Sequence, residues 1–90
     1  MTETAENRLK RMRMRSWRRG TKEMDLVLGP YADARLAAMD EQTLTLYDAL
    51  LAENDQDLLP WVLGQTPPPD RFAPLLAEIA AFARARLAAG

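Results

Sequence analysis

Residues 18–25 read Arg18-Arg19-Gly20-Thr21-Lys22-Glu23-Met24-Asp25, and the parsing of this stretch decides how the chain folds. A glycine inside a helix costs roughly 1 kcal/mol relative to alanine, and this one divides an arginine-rich segment from a clearly amphipathic one. The physical reading is a break between two helices. Gly20 supplies a permissive backbone angle, Thr21 caps the helix that follows, and Glu23 sits favourably in its first turn. The local pattern is R-G-x-x-E, carried by Arg19, Gly20 and Glu23, with Asp25 two residues further on.

Upstream of the break, residues 5–17 are predicted to form the first helix. Leu9, Met12 and Ser16 share one face, while Arg8, Arg11 and Arg15 line another at steps of three and four. The apolar stripe is thin, and Met14 and Trp17 make a second, shorter one, so this helix is expected to lie over the body of the fold. Downstream, Met24, Val27, Leu28 and Tyr31 recur at the spacing of one buried helix face. Glu23 and Asp25 flank that face and are expected to be exposed. Gly29-Pro30 is then expected to end or kink the helix, because proline removes a donor and crowds the preceding turn. Residues 31–39 would continue as a short separate helix with Tyr31, Leu36 and Met39 turned inward.

Asp40 is a cap for a third helix over 41–53, in which Leu44, Tyr47 and Leu51 share a face that Leu46 and Leu50 widen. Asn54-Asp55-Gln56-Asp57 is a capping cluster. Asp57 is the preferred cap, since it puts Pro60 in the first turn, where a missing donor is harmless; Asp55 as the cap would set Pro60 deeper. Leu58, Trp61 and Val62 point one way and Gly64 ends that helix. Residues 65–70, with three consecutive prolines, are predicted to be an extended connection. In the last helix Phe72, Leu75, Leu76, Ile79, Phe82 and Ala83 follow a single face, broken only by Arg86. The expected architecture is all-α, a compact five-helix bundle forming a single small domain over residues 1–90.

Composition bounds the function. Ninety residues suit one domain, and 48% apolar residues suit a folded globule. There is no cysteine and no histidine, so disulfides, thiolate metal sites and the usual general base are excluded. Glu53, Asp55 and Asp57 lack the glycine and terminal glutamate of a calcium loop, and no phosphate-binding glycine loop occurs. No catalytic and no metal-ligating residue is assigned, and the chain is read as a binding module, not an enzyme. No run approaches a membrane span and the N-terminus lacks a secretory core, which makes the cytoplasm the expected location.

Net charge is near zero, yet residues 1–22 carry eight basic side chains against Glu3 and Glu6, while the remainder holds four basic and eleven acidic residues. A basic head on an acidic body suggests an electrostatically steered partner. It also permits rival readings: a membrane-surface or targeting helix, against which Glu3 and Glu6 argue, or a small RNA- or ribosome-associated protein. The RNA reading uses Arg8, Arg11 and Arg15 for phosphates and Trp17 for stacking.

Three longer stretches carry a resemblance. They are Trp17-Arg18-Arg19-Gly20-Thr21-Lys22-Glu23-Met24-Asp25, then Gly29-Pro30-Tyr31-Ala32, then Leu50-Leu51-Ala52-Glu53-Asn54-Asp55-Gln56-Asp57-Leu58 leading to Trp61. Together they resemble the FAD assembly factor (SdhE) family, the small bacterial proteins and mitochondrial relatives that help succinate dehydrogenase acquire its covalent flavin. The resemblance implies an assembly factor or chaperone whose partner is the flavoprotein subunit of succinate dehydrogenase, and in some bacteria that of fumarate reductase. It implies that the chain promotes attachment of FAD to a histidine of that partner and that Arg19, Gly20 and Glu23 face the partner. Asp25 and Trp17 match positions beside the motif. Tyr31 and Trp61 also match, but as large side chains on apolar faces they are assigned to the core. No stably bound cofactor, no nucleic acid and a monomeric state are expected.

Overall fold

The computed structural model describes residues 3–89. Helix α1 spans Ala5–Trp17, α2 Lys22–Arg35, α3 Glu41–Leu51, α4 Asp55–Leu63 and α5 Ala73–Ala89, with single 3-10 turns at Leu36–Ala38 and Asp70–Phe72. Among the described residues there is no strand, so the all-α, five-helix expectation holds. The radius of gyration is 12.7 Å, close to the value of about 12 Å for one compact globule of this length.

The caps read from sequence form. Thr21 Oγ1 accepts from the Met24 N–H (3.4 Å) and Asp40 Oδ1 from the Thr43 N–H (2.8 Å). Gly64 closes α4 in the left-handed region at φ 75°, where other residues would be strained. At the start of α1, Thr4 Oγ1 accepts from the Asn7 N–H at 3.1 Å.

The core is drawn from all five helices. Met12 of α1, Met24, Leu28 and Tyr31 of α2, Tyr47 and Leu50 of α3, Leu58 of α4 and Ile79 of α5 are fully buried. The Tyr31 ring lies 5.8 Å from that of Tyr47 and packs edge-on against Phe82 at 5.6 Å. Trp61 is half-buried, its ring centroid 6.3 Å from that of Phe72. Among the described residues Ser16 is the one buried side chain classed as polar, and its hydroxyl is satisfied twice, donating to the Met12 carbonyl (2.8 Å) and sharing a hydrogen bond with the Tyr47 hydroxyl (2.7 Å). Burial pushes the Tyr47 phenol up to about 12.

Three expectations are corrected. Gly29-Pro30 does not interrupt α2, which runs through to Arg35. Proline inside a helix costs about 3 kcal/mol, whereas each fully buried large side chain contributes about 1.5–3 kcal/mol. A continuous α2 buries Leu28, Tyr31 and Ala32 together across the proline. The carbonyl deprived of its donor is that of Leu26, on the exposed side of the helix, where water can replace it. The separate helix over 31–39 reduces to the last turn of α2 and the 3-10 turn, with Leu36 buried and Met39 half-buried.

The cap of α4 is Asn54 and not Asp57. The Asn54 carbonyl accepts from the N–H groups of Asp57 (3.0 Å) and Leu58 (2.9 Å), and Pro60 therefore lies deeper than the first turn. The carbonyl it leaves without a donor is that of Gln56, also exposed. The third helix stops at Leu51, two residues short of the expected end, and the Leu51 carbonyl accepts from Arg15 and Arg19 instead of from a further turn of helix.

Gly29 is buried for a packing reason: the Trp17 indole lies directly on it, and a Cβ at this position would clash with its Cδ2, Cε2 and Cε3 atoms. Gly29→Ala is expected to force the indole off α2, with a loss of about 1–3 kcal/mol. That should appear in calorimetry as a fall in Tm of at least about 5 °C, accompanied by a red shift in tryptophan emission. An unchanged Tm and emission would show that the indole is not seated there.

Candidate partner-binding surface

The turn between α1 and α2 is built by Arg18, which leaves the helix at φ −125°, ψ 58°, and by Gly20 at φ 98°. Only glycine adopts the second conformation without strain. A Cβ at Gly20 would meet nothing within 4 Å, so the glycine is required by the backbone and leaves open space above it. Glu23, in the first turn of α2, is exposed.

Arg19 behaves in the opposite way. Its side chain is only 8% exposed and reaches inward to the junction of α3 and α4. Nε donates to Asp55 Oδ1 (2.9 Å), Nη1 to the Leu51 carbonyl (2.6 Å) and Nη2 to the Glu53 carbonyl (2.6 Å). Asp55 is itself 13% exposed. The backbone N–H of Arg19 donates to Asp25 Oδ1 at 2.6 Å, which makes Asp25 half-buried where it was expected to be exposed. Of the pattern R-G-x-x-E-x-D, then, Arg19 and Asp25 brace the turn while Gly20 and Glu23 face outward. Trp17 lies between these roles: its indole covers Gly29, its Nε1 donates to Asp33 Oδ2 (3.2 Å), and 38% of the residue remains exposed.

Arg19 is the last of a row. Arg8 donates to Glu41 Oε1 (2.6 Å) and Thr45 Oγ1 (3.1 Å), and Arg11 grips Asp48 with two bonds (2.9 and 2.8 Å). Arg15 donates to the Leu51 carbonyl (3.0 Å). Each of these partners lies 32–37 positions further along the chain, so α1 and α3 run side by side in the same direction, joined by charge. Arg15 and Arg19 set positive charge on the C-terminus of α3, where the helix dipole favours it. Arg11 also holds Glu3 through Nε (2.7 Å) and Nη2 (3.0 Å). The basic head is therefore largely consumed inside the molecule. Arg8, Arg11 and Arg15, the residues an RNA contact would use, are already bound to Glu41, Asp48 and Leu51. Arg18, by contrast, stays exposed at the edge of an open polar groove of about 570 Å³ with Asn54 and Gln56.

The functional residue missed in sequence is Asp55. It stands in a cluster that reads as helix capping, and nothing local announces that its carboxylate belongs to an arginine 36 positions earlier. Among the described residues no group of three carboxylates is placed to hold a metal ion, and no helix is long and apolar enough to cross a membrane.

An open glycine and an exposed carboxylate thus stand on a turn of a small helical protein, braced from beneath by a buried guanidinium. Its family is that of the succinate dehydrogenase flavinators, to which the chain belongs: residues 10–83 match the family described as flavinator of succinate dehydrogenase. The chain is 30% identical over 80 residues to the FAD assembly factor SdhE of Acetobacter pasteurianus, covering 88% of this chain and 73% of that protein. It is 38% identical over 63 residues to the mitochondrial succinate dehydrogenase assembly factor 2 of Aspergillus flavus, covering 70% of this chain but 22% of that protein. With the corresponding protein of Meyerozyma guilliermondii it shares 37% identity over 73 residues, 78% of this chain and 54% of the relative. The chain thus spans only about a fifth to a half of these two fungal relatives.

Two outcomes follow from the charge geometry. Removing one partner of a buried ion pair costs about 3–5 kcal/mol, so Arg19→Ala and Asp55→Ala should each destabilise strongly. In a double-mutant cycle by urea unfolding, their effects should be non-additive by about 1–3 kcal/mol. Additive effects would mean that the pair is not formed.

The second outcome concerns pH. The Arg11 guanidinium holds the carboxyls of Asp48 and Glu3 below their ordinary values, and Thr43 does the same for Asp40. Groups depressed in the folded state stabilise it fully above their unfolded values of about 4. That contribution is lost as pH falls through the lower folded values. Tm should therefore be flat from pH 7 to about 5 and fall below pH 4, and the fall should be smaller in Arg11→Gln, which has less to lose.

Proposed function

We propose that this chain is an assembly factor that binds the flavoprotein subunit of succinate dehydrogenase and promotes covalent attachment of FAD to it. Where a host carries the homologous fumarate reductase, its flavoprotein subunit is a second client. The observation that carries the reading is the division within the motif. Gly20 and Glu23 are exposed side by side on a turn that Arg19 and Asp25 hold rigid from within. Family membership supports this choice of partner.

In this reading Glu23 accepts hydrogen bonds from partner N–H groups, Gly20 lets the partner backbone approach without meeting a side chain, and the exposed edge of Trp17 adds an apolar contact. Arg19 and Asp25, matched by the same motif, act on the partner through the turn they position. The chain has neither histidine nor cysteine and contributes no nucleophile or proton shuttle to the flavin bond, which forms between the flavin and a histidine of the partner. Its contribution is to hold the partner in a bond-forming arrangement, without turnover and without a flavin of its own. The chain acts as a monomer in the cytoplasm, with its client. The nucleic-acid alternative loses its footing in the same geometry, since Arg8, Arg11 and Arg15 would have to leave existing partners to reach a phosphate.

The test is covalent flavin on the succinate dehydrogenase flavoprotein subunit, read as in-gel fluorescence in cells with and without the chain. Deletion is expected to remove most of the signal, and the intact chain to restore it. Glu23→Ala and Gly20→Arg are expected not to restore it while keeping the helical circular dichroism of the parent. A full signal with either substitution would remove the motif from the function.

A further inference from the structure

The motif surface continues past Glu23. Between α2 and the last turns of α5 runs a groove of about 310 Å³ lined by Glu23, Leu26, Val27, Ala83, Arg86 and Leu87. Leu26 is 55% exposed and Leu87 82% exposed, two of the five large apolar side chains left in water among the described residues. A third of the five, Trp17, lies on Gly29, one helical turn beyond Leu26 on the same face of α2.

Two charged side chains of opposite sign, Glu23 and Arg86, stand among its walls. Arg8, Arg11, Arg13 and Arg19 each have a carboxylate partner within 4 Å. Among the described residues Glu23 and Arg86 have none, although they border the same groove. An apolar cleft bordered by an anion and a cation, neither of them in a salt bridge, is complementary to an apolar side chain accompanied by the opposite charges.

We propose that the flavoprotein subunit inserts one aliphatic or aromatic side chain into this groove, setting a basic group against Glu23. This rests on the partner assigned above and extends the contact made by Gly20 and Glu23. A second copy of the chain fits less well. Leu26 and Leu87 offer far less than the roughly 1,000 Å² that an independent protein interface buries. The groove therefore belongs to a larger contact, and it shares Glu23 with the motif surface where that contact lies.

The experiment measures binding of the full chain to purified flavoprotein subunit by interferometry, with Leu26→Ser and Leu87→Ser compared against Leu63→Ser, an exposed leucine of α4 outside the groove. All three positions are exposed, so Tm should stay close to the parent's. The two groove variants are expected to weaken binding about tenfold and the Leu63 variant to leave it unchanged. Equal affinity for all three, with Glu23→Ala still defective, would overturn the groove while leaving the motif reading in place. Normal binding by Glu23→Ala as well would overturn both. Sedimentation showing a dimer of the chain that Leu26→Ser dissociates would identify a second copy as the occupant and likewise overturn the proposal.

Discussion

A guanidinium has five N–H donors and no way to shed its charge, so one that is 8% exposed must be met by acceptors on nearly every side. Arg19 is met by the Asp55 carboxylate and the carbonyls of Leu51 and Glu53. These three acceptors belong to the end of α3, the connecting turn and the start of α4. The same residue sits in the turn from α1 to α2, with its own N–H tied to Asp25. One side chain thus fixes where α3 stops, where α4 begins and how the α1–α2 turn stands over both. The early end of α3 and the choice of Asn54 over Asp57 as the cap both follow from it.

The seam leading to Arg19 explains how a helix with so little apolar surface is held. Met12 and Ser16 are the only fully buried residues of α1, and a buried methionine with one satisfied hydroxyl is a small anchor for thirteen residues. The row of arginines along α3 supplements it. Exposed ion pairs are individually weak, about 0.2–1 kcal/mol. Arg11, however, bridges two carboxylates with four hydrogen bonds, and the row ends in the buried Arg19 pair. Basic head and acidic body are complementary halves of one interface inside the molecule. Charge asymmetry that reads in sequence as an invitation to an outside partner is here mostly settled internally.

What was legible in the sequence is local, and what was not is long-range. Thr21, Asp40 and Gly64 act through groups one to four residues away, and each does what its type and position indicate. The periodic apolar faces of α2, α3 and α5 are equally local, and they locate Tyr31, Tyr47 and Ile79 in the core. Pro30 was misread because its local penalty is real but smaller than the burial gained by a continuous α2. The role of the Asp55 carboxylate is hidden because its partner, Arg19, lies 36 positions away in the turn between α1 and α2. The motif itself was legible as a pattern but not as geometry. A sequence shows that Arg19 and Glu23 are four apart; it does not show that one points into the protein and the other out of it.

That opposition bears on how such a module can work without chemistry of its own. A surface that holds a partner in one arrangement must resist deformation, because any freedom it retains is lost on binding and subtracted from the affinity. A glycine turn is ordinarily the worst place for such a surface, since glycine has the most conformational freedom to lose. Here the loss is met during folding: Arg19 anchors one side of Gly20 and the Thr21 cap the other, so the glycine presents open space without slackness. The buried charge brings little net stability over an apolar replacement, but an apolar side chain could not bind two carbonyls and a carboxylate at fixed angles. Directional bonds, and not burial alone, are what hold Gly20 and Glu23 in the arrangement that the proposed partner would meet.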